Sequence, residues 1–139
     1  MFLEFSDWLM YVDKAATRTY HAQEAQDRCL CDFCKNFYQS VDTAYPDLRY
    51  FLSRFGADIE APESLTPITA ELYQASYLVH GKILRFGADP IWVHDIAITA
   101  EECDQESFML QIGLMSIPWT LPHGPINGLI PNFFQDHTV

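Results

Sequence analysis

Basic residues are scarce in this sequence: 8 Lys and Arg stand against 19 Asp and Glu among 139 residues, for a net charge of −11. A protein that binds nucleic-acid backbones or anionic membranes needs clustered lysine and arginine, so we expect neither partner. The chain also lacks a run of about 18 apolar residues, the length that a membrane-spanning helix requires. No secretion signal opens it, and we therefore expect a cytoplasmic protein.

The common catalytic motifs are also missing. The sequence contains no glycine-rich phosphate loop, no His-Glu-x-x-His and no Gly-x-Ser-x-Gly nucleophile elbow. Its acidic stretch 101–106 lacks the alternating acids and central glycine of a calcium loop. These absences favour a non-enzymatic binding or interaction module over an enzyme, with an unidentified protein or small molecule as its partner.

What the chain does have is material for a hydrophobic core. Hydrophobic residues make up 49% of it and aromatic residues 14%. A domain of this length buries enough surface to fold without a metal or a disulfide. We predict one domain over residues 1–139, with an irregular tail rich in proline and glycine from about residue 117.

Two segments have the apolar spacing of a helix. The first begins near Cys31, and the second begins at Pro46 and stops at Gly56. Residues 13–28 have little periodicity and predict no more than a turn or two of helix. The apolar stripes of the two predicted helices are Phe33, Phe37 and Val41, and then Leu48, Phe51, Leu52 and Phe55.

The rest of the chain is typical of β-structure. Residues 2–12 predict a strand or a short hairpin, and alternating apolar residues predict strands at 72–84, 91–99 and 107–116. Residues 57–70 hold three acids and two prolines and predict a surface connector. We therefore predict an α+β fold in which a helix pair packs on a mainly antiparallel sheet of three to five strands. An apolar edge strand at residues 2–12 or 107–116 would provide an interface for a homodimer.

Three of the four cysteines fall within six residues: Cys29, Cys31 and Cys34. Zinc sites need about four soft ligands held tetrahedrally, and short cysteine spacings let one turn of backbone supply several of them. The cluster therefore predicts a zinc site as one alternative, and zinc is the cofactor that it would hold. The fourth ligand would be His21, or a residue brought in by folding: His80, His94 or Cys103.

Two other interpretations of the cysteines stay open. Cys34 lies on the apolar stripe of the first predicted helix, where a free cysteine packs as a small hydrophobic residue. Cys31 and Cys34 also have the spacing of a redox pair at a helix N-terminus, where a thiolate is stabilised. A histidine further along, His94, is in phase with Ile96 and Ile98 and predicts a core-edge side chain with one hydrogen bond.

The cysteine motif also carries a resemblance. Its residues are Cys29, Cys31, Cys34, Lys35 and Asn36, followed by Tyr45-Pro46, the segment 54–58 and Pro118-Trp119. This pattern resembles a family of small uncharacterised bacterial proteins that share Cys-x-Cys-x-x-Cys-Arg/Lys-Asn. The resemblance covers about residues 29–120 and implies a bacterial cytoplasmic protein, with no known activity. The family pattern of aromatic-His-x-x-Gly in the middle strand is replaced here by Tyr77-Leu-Val-His80-Gly81.

Overall fold

The computed structural model describes residues 1–124. The elements, in chain order, are β1 (Phe2–Phe5), β2 (Trp8–Val12), α1 (Lys14–Glu24), α2 (Asp32–Ala44), α3 (Pro46–Ser53), β3 (Ser64–Thr69), β4 (Leu72–Arg85), β5 (Ile91–Val93), β6 (Ile96–Glu102) and β7 (Ser107–Ser116). The predicted α+β class is confirmed. Residues 117–124 form no helix or strand, and the rest of the predicted tail, 125–139, lies outside the described residues.

The long strand β4 organises the sheet. Along its first nine residues it pairs with β7, and β3 and β2 pair with its first and second halves. The strand order is β1-β2-β4-β7-β6-β5, with β3 beside β4, and every pairing is antiparallel. The alternation predicted for this strand is correct, because Tyr73, Ala75, Tyr77 and Val79 are all buried on one face.

The helices cover the face of the sheet that carries these tyrosines. Phe37 of α2 packs on Tyr73 with ring centroids 5.5 Å apart. His21 of α1 stacks on Tyr77 at 6.4 Å. The predicted helix pair is therefore joined by a third helix, which Asp13 caps by accepting a hydrogen bond from the Ala16 N–H at 3.0 Å. None of the helices in residues 1–124 is long and apolar enough to cross a membrane.

Three predicted segments and the strand number differ from the structure. Residues 13–28 contain the 11-residue helix α1 where no more than a turn or two was predicted, and the sheet in residues 1–124 has seven strands, not three to five. The connector predicted at 57–70 contains β3, and its central Pro67 is tolerated because β4 is the one partner of this strand within residues 1–124. The strand predicted at 91–99 is the β5–β6 hairpin, which turns at His94 with a φ of +54°. His94 is therefore exposed and not a core-edge residue, since the turn breaks the alternation that joined it to Ile96.

Gly56, the predicted helix stop, lies where α3 meets the start of α1. Its φ is +83°, and a Cβ there would lie 2.3 Å from the Lys14 carbonyl oxygen. We expect Gly56→Ala to lower the free energy of unfolding by about 2–3 kcal/mol, because the left-handed backbone and the clash both oppose a side chain. Urea denaturation measures this change.

The matched control is Gly124→Ala. A Cβ at Gly124 meets no atom within 4 Å. We expect its free energy of unfolding to stay within about 0.5 kcal/mol of the unmodified protein. Equal losses in the two variants would contradict a steric role for Gly56.

Candidate metal centre

The three clustered cysteines come together at the N-terminus of α2. Cys31 is the N-cap of this helix, Cys34 lies in its first turn, and Cys29 precedes it in the loop. Their sulfur atoms all lie within 4.8 Å of one another. In a tetrahedral zinc site with Zn–S bonds of about 2.3 Å, sulfur atoms lie about 3.8 Å apart. The cluster therefore needs a contraction of no more than about 1 Å to hold a metal ion.

Backbone N–H groups point at two of the sulfur atoms. The Cys31 N–H donates to Cys29 Sγ at 3.5 Å, and the Cys34 N–H donates to Cys31 Sγ at 3.5 Å. The first of these bonds is the main reason that the pKa of the Cys29 thiol is lowered. Such donors favour thiolate over thiol, and thiolate is the form that binds metals.

Cys34 is the buried member of the cluster. Burial raises the pKa of the Cys34 thiol, and the neighbouring Cys31 and Cys29 raise it further. Without a cation this sulfur therefore stays protonated at neutral pH. A coordinated metal ion reverses that preference, because a thiol bound to such an ion is deprotonated outright.

Tyr38 and Arg28 border the cysteines. Burial raises the pKa of the Tyr38 hydroxyl, and the neighbouring Cys34 and Cys29 raise it further. The Arg28 guanidinium lies over the Tyr38 ring at 4.1 Å from its centroid and 3.6 Å from a carboxylate oxygen of Glu60. The loop thus carries a cation beside a group that would be anionic with thiolate ligands.

His21, the predicted fourth ligand, is not brought into this cluster. It is 2% exposed, and its Nδ1 accepts the Asp58 N–H at 3.2 Å. Its Nε2 therefore carries the proton and donates to the Leu78 carbonyl oxygen at 2.8 Å. Both ring nitrogens bond the backbone, so His21 ties α1 to β4 and does not complete the metal group.

The predicted alternatives for the fourth ligand also lie elsewhere. Among residues 1–124, the group with the spacing of a metal site consists of the three cysteines alone. His80 is in β4 with its ring 5.5 Å from Tyr20, His94 is in the β5–β6 turn, and the exposed Cys103 follows β6.

A second polar pair lies at the other end of α2. The His94 Nε2 bonds the carboxylate of Asp47, and both side chains are exposed. They line a shallow cavity of about 260 Å³ whose other lining residues include Tyr45 and Pro46 but no cysteine, serine or lysine. Both side chains are exposed to water, and we interpret the pair as a surface hydrogen bond between α3 and the β5–β6 turn.

The segment after β7 is the part of the site that sequence reasoning missed. The buried Asn36 amide donates to the Pro118 carbonyl oxygen at 3.1 Å and accepts the Thr120 N–H at 2.7 Å. Trp119 packs edge-on against Phe33 with centroids 5.6 Å apart. The signal was available, because Asn36 and Pro118-Trp119 both belong to the quoted motif. The hydrogen bonds of Asn36 with Pro118 and Thr120 bring the cysteine end of this motif together with its Pro118-Trp119 end.

These observations define a small α+β domain with a group of three cysteines at one helix N-terminus. The chain matches no model of a known family, no curated protein and no solved structure. The resemblance of its cysteine motif to a bacterial family stays a prediction.

Proposed function

We propose that the protein is a binding module stabilised by one structural zinc ion, which Cys29, Cys31 and Cys34 ligate. The observation that carries this proposal is the approach of the three sulfur atoms to within 4.8 Å of one another. Zinc prefers thiolate ligands, and structural sites commonly take three cysteines with one further residue.

The surroundings of the sulfur atoms support the same proposal. Two backbone N–H groups already point at Cys29 and Cys31. Hydrogen bonds of this kind orient metal ligands and tune them. The buried Cys34 gains most from a metal, because a cation there offsets the burial that otherwise keeps its thiol protonated.

A metal at this position would have a structural role. Residues 25–31 link α1 to α2 without regular helix or strand, and Leu30 in this loop is 66% exposed. A zinc ion bound by Cys29, Cys31 and Cys34 would fasten the loop to the first turn of α2. As the partner surface of the module we propose the exposed edge-to-face pair Phe2 and Tyr11 of the β1–β2 hairpin.

The zinc content of protein purified without an affinity tag tests the proposal. We expect about one zinc ion per chain by elemental analysis. The Cys29→Ser, Cys31→Ser and Cys34→Ser variants should each bind zinc at least about 10–100-fold more weakly, because loss of a ligand costs no less than loss of its supporting hydrogen bonds. Competition with a chromogenic chelator measures these affinities.

Cys103→Ser is the matched control. Cys103 is an exposed free thiol outside the cluster, so its replacement should leave zinc content and affinity unchanged. Protein without bound zinc, and with four thiols free in denaturant, would contradict the proposal. If Cys29 then alkylated rapidly below pH 7, a thiol-based activity would replace it, since Cys29 is the member of the cluster with a lowered pKa.

A further inference from the structure

We propose that His123 is the fourth ligand of the zinc ion, so that the metal joins the chain after β7 to the N-terminus of α2. This inference rests on the proposed function, because it assumes a metal held by the three cysteines. It assigns to the site a residue that is remote from the cysteines in sequence. The geometry of the segment that contains His123 carries the argument.

The first observation is the position of the imidazole. His123 Nε2 lies 3.0 Å from a carboxylate oxygen of Asp32. Asp32 is the first residue of α2 and follows directly after Cys31, the N-cap. His123 therefore lies beside the helix turn that carries two of the three cysteines. The imidazole lies outside the group of three sulfur atoms, so it reaches a metal there only after a change of rotamer, and its 59% exposure leaves room for that change.

The second observation is that the backbone of this segment is held in place. Asn36 and Ser40 bind Thr120, the latter through hydroxyl groups 2.6 Å apart. The Trp119 indole N–H donates to the His123 carbonyl oxygen at 2.6 Å. The segment is thus fixed to α2 at Thr120 and closed on itself at His123, which limits the space in which the imidazole can lie.

Asp32 completes a recurrent arrangement of zinc sites. A histidine ligand generally donates its second ring N–H to a carboxylate, a backbone carbonyl or water, which fixes the tautomer and orients the ring. The Asp32 side chain is itself 52% exposed, so it can follow the imidazole and keep its bond to Nε2, which leaves Nδ1 to bind the metal. Asp32 then acts as the orienting carboxylate of the site.

Charge and chemistry favour the same assignment. Three thiolates and Zn²⁺ carry a net charge of −1, and a neutral imidazole adds nothing to it. A carboxylate ligand such as Asp32 would raise the charge to −2 in a chain that already carries −11. Three cysteines and one histidine are a common ligand set of structural zinc sites.

The experiment compares zinc affinity and Co²⁺ spectra of the full chain and four variants. His123→Ala should bind zinc at least about tenfold more weakly, and its Co²⁺ complex should keep the thiolate charge-transfer band while the d–d bands change. His123→Cys should restore affinity to within about tenfold of the full chain, because cysteine can serve as the fourth ligand. Asp32→Asn should weaken binding by about tenfold.

His94→Ala is the matched control, since His94 is an exposed histidine with a carboxylate partner at the other end of α2. It should leave both affinity and spectra unchanged. Unchanged zinc affinity in His123→Ala, with zinc still bound by the cysteines, would overturn the assignment of His123 and leave the proposed zinc site standing. Failure of the unmodified chain to bind zinc or Co²⁺ would overturn both.

Discussion

Removal of zinc from the loaded protein is expected to lower the thermal unfolding midpoint by about 10–15 °C. A ligand that binds only the native state adds about 4 kcal/mol to the free energy of unfolding when its free concentration is about a thousand times its dissociation constant. In a chain of this size each kcal/mol corresponds to roughly 3–4 °C. Thermal unfolding followed by circular dichroism, in zinc-buffered and in chelator-containing solution, measures the shift.

The chelated protein should nevertheless remain folded at 25 °C. The core is built from side chains of the sheet and helices, such as Phe37, Val41 and Tyr73, and it includes only Cys34 of the three cysteines. We therefore expect an almost unchanged far-ultraviolet spectrum and faster amide exchange in residues 25–34. Bound zinc would thus stabilise only the loop and the start of α2. A zinc finger differs, because the whole domain is unfolded without its metal.

The variants separate metal binding from other effects of the chelator. Cys103→Ser should show the same shift as the unmodified chain, whereas Cys31→Ser should show a smaller one at the same zinc concentration. Because thiols release protons when they bind zinc, the stabilisation should also shrink as the pH falls. Identical midpoints with and without bound zinc would show that the ion has no structural role.

Local patterns of the sequence were sufficient to predict much of the fold. The stripe of Phe33, Phe37 and Val41 and the Pro46 start of the next helix agree with α2 and α3. The alternation in β4 predicted its buried face. Each of these signals depends only on which side of an element an apolar residue occupies. The side that an apolar residue occupies follows from its spacing relative to neighbours within about ten residues of chain.

The errors arose where a backbone conformation broke a continuous pattern. Trp92 and His94 alternate with Ile96 as in one strand, but His94 adopts a positive φ and turns the chain. Trp92 is therefore 60% exposed, although Ile96 and Ile98 are buried. Non-glycine residues with a positive φ are uncommon, and neither composition nor periodicity predicts the positive φ of His94. β3 was missed because Pro67 is a poor predictor of a strand and is compatible with one only at an edge.

The residues of the candidate site also differ in how far apart they lie in sequence, and this decides which of them could be predicted. The three cysteines lie within six residues and could be predicted together from their spacing alone. His21 was chosen because it is close in sequence, but its ring stacks on Tyr77 and its two nitrogens bond the backbone. His123, the proposed fourth ligand, is distant in sequence, and the contacts of Asn36 and Ser40 with the chain after β7 bring it back to α2.

Replacement of Asn36 by leucine is expected to lower the free energy of unfolding by about 3–4 kcal/mol. Asn36 is fully buried, and its amide bonds both Pro118 and Thr120. Leucine has a similar size but leaves the Thr120 N–H and the Pro118 carbonyl oxygen without a partner. Residues 117–124 should therefore separate from α2 and take up water at these groups. Urea denaturation measures the loss of stability, and amide exchange in residues 117–124 measures the separation.

Gln39→Ala is the matched control for Asn36→Leu. Gln39 lies on the same helix and donates to the same residue, Thr120, at 3.2 Å, but its side chain is exposed. Its loss should change the free energy of unfolding by no more than about 0.5 kcal/mol. If His123 is a zinc ligand, Asn36→Leu should also weaken zinc binding, because the anchor that places the imidazole beside Asp32 is lost. Equal stabilities of the two variants would mean that the buried amide does not hold the segment to α2.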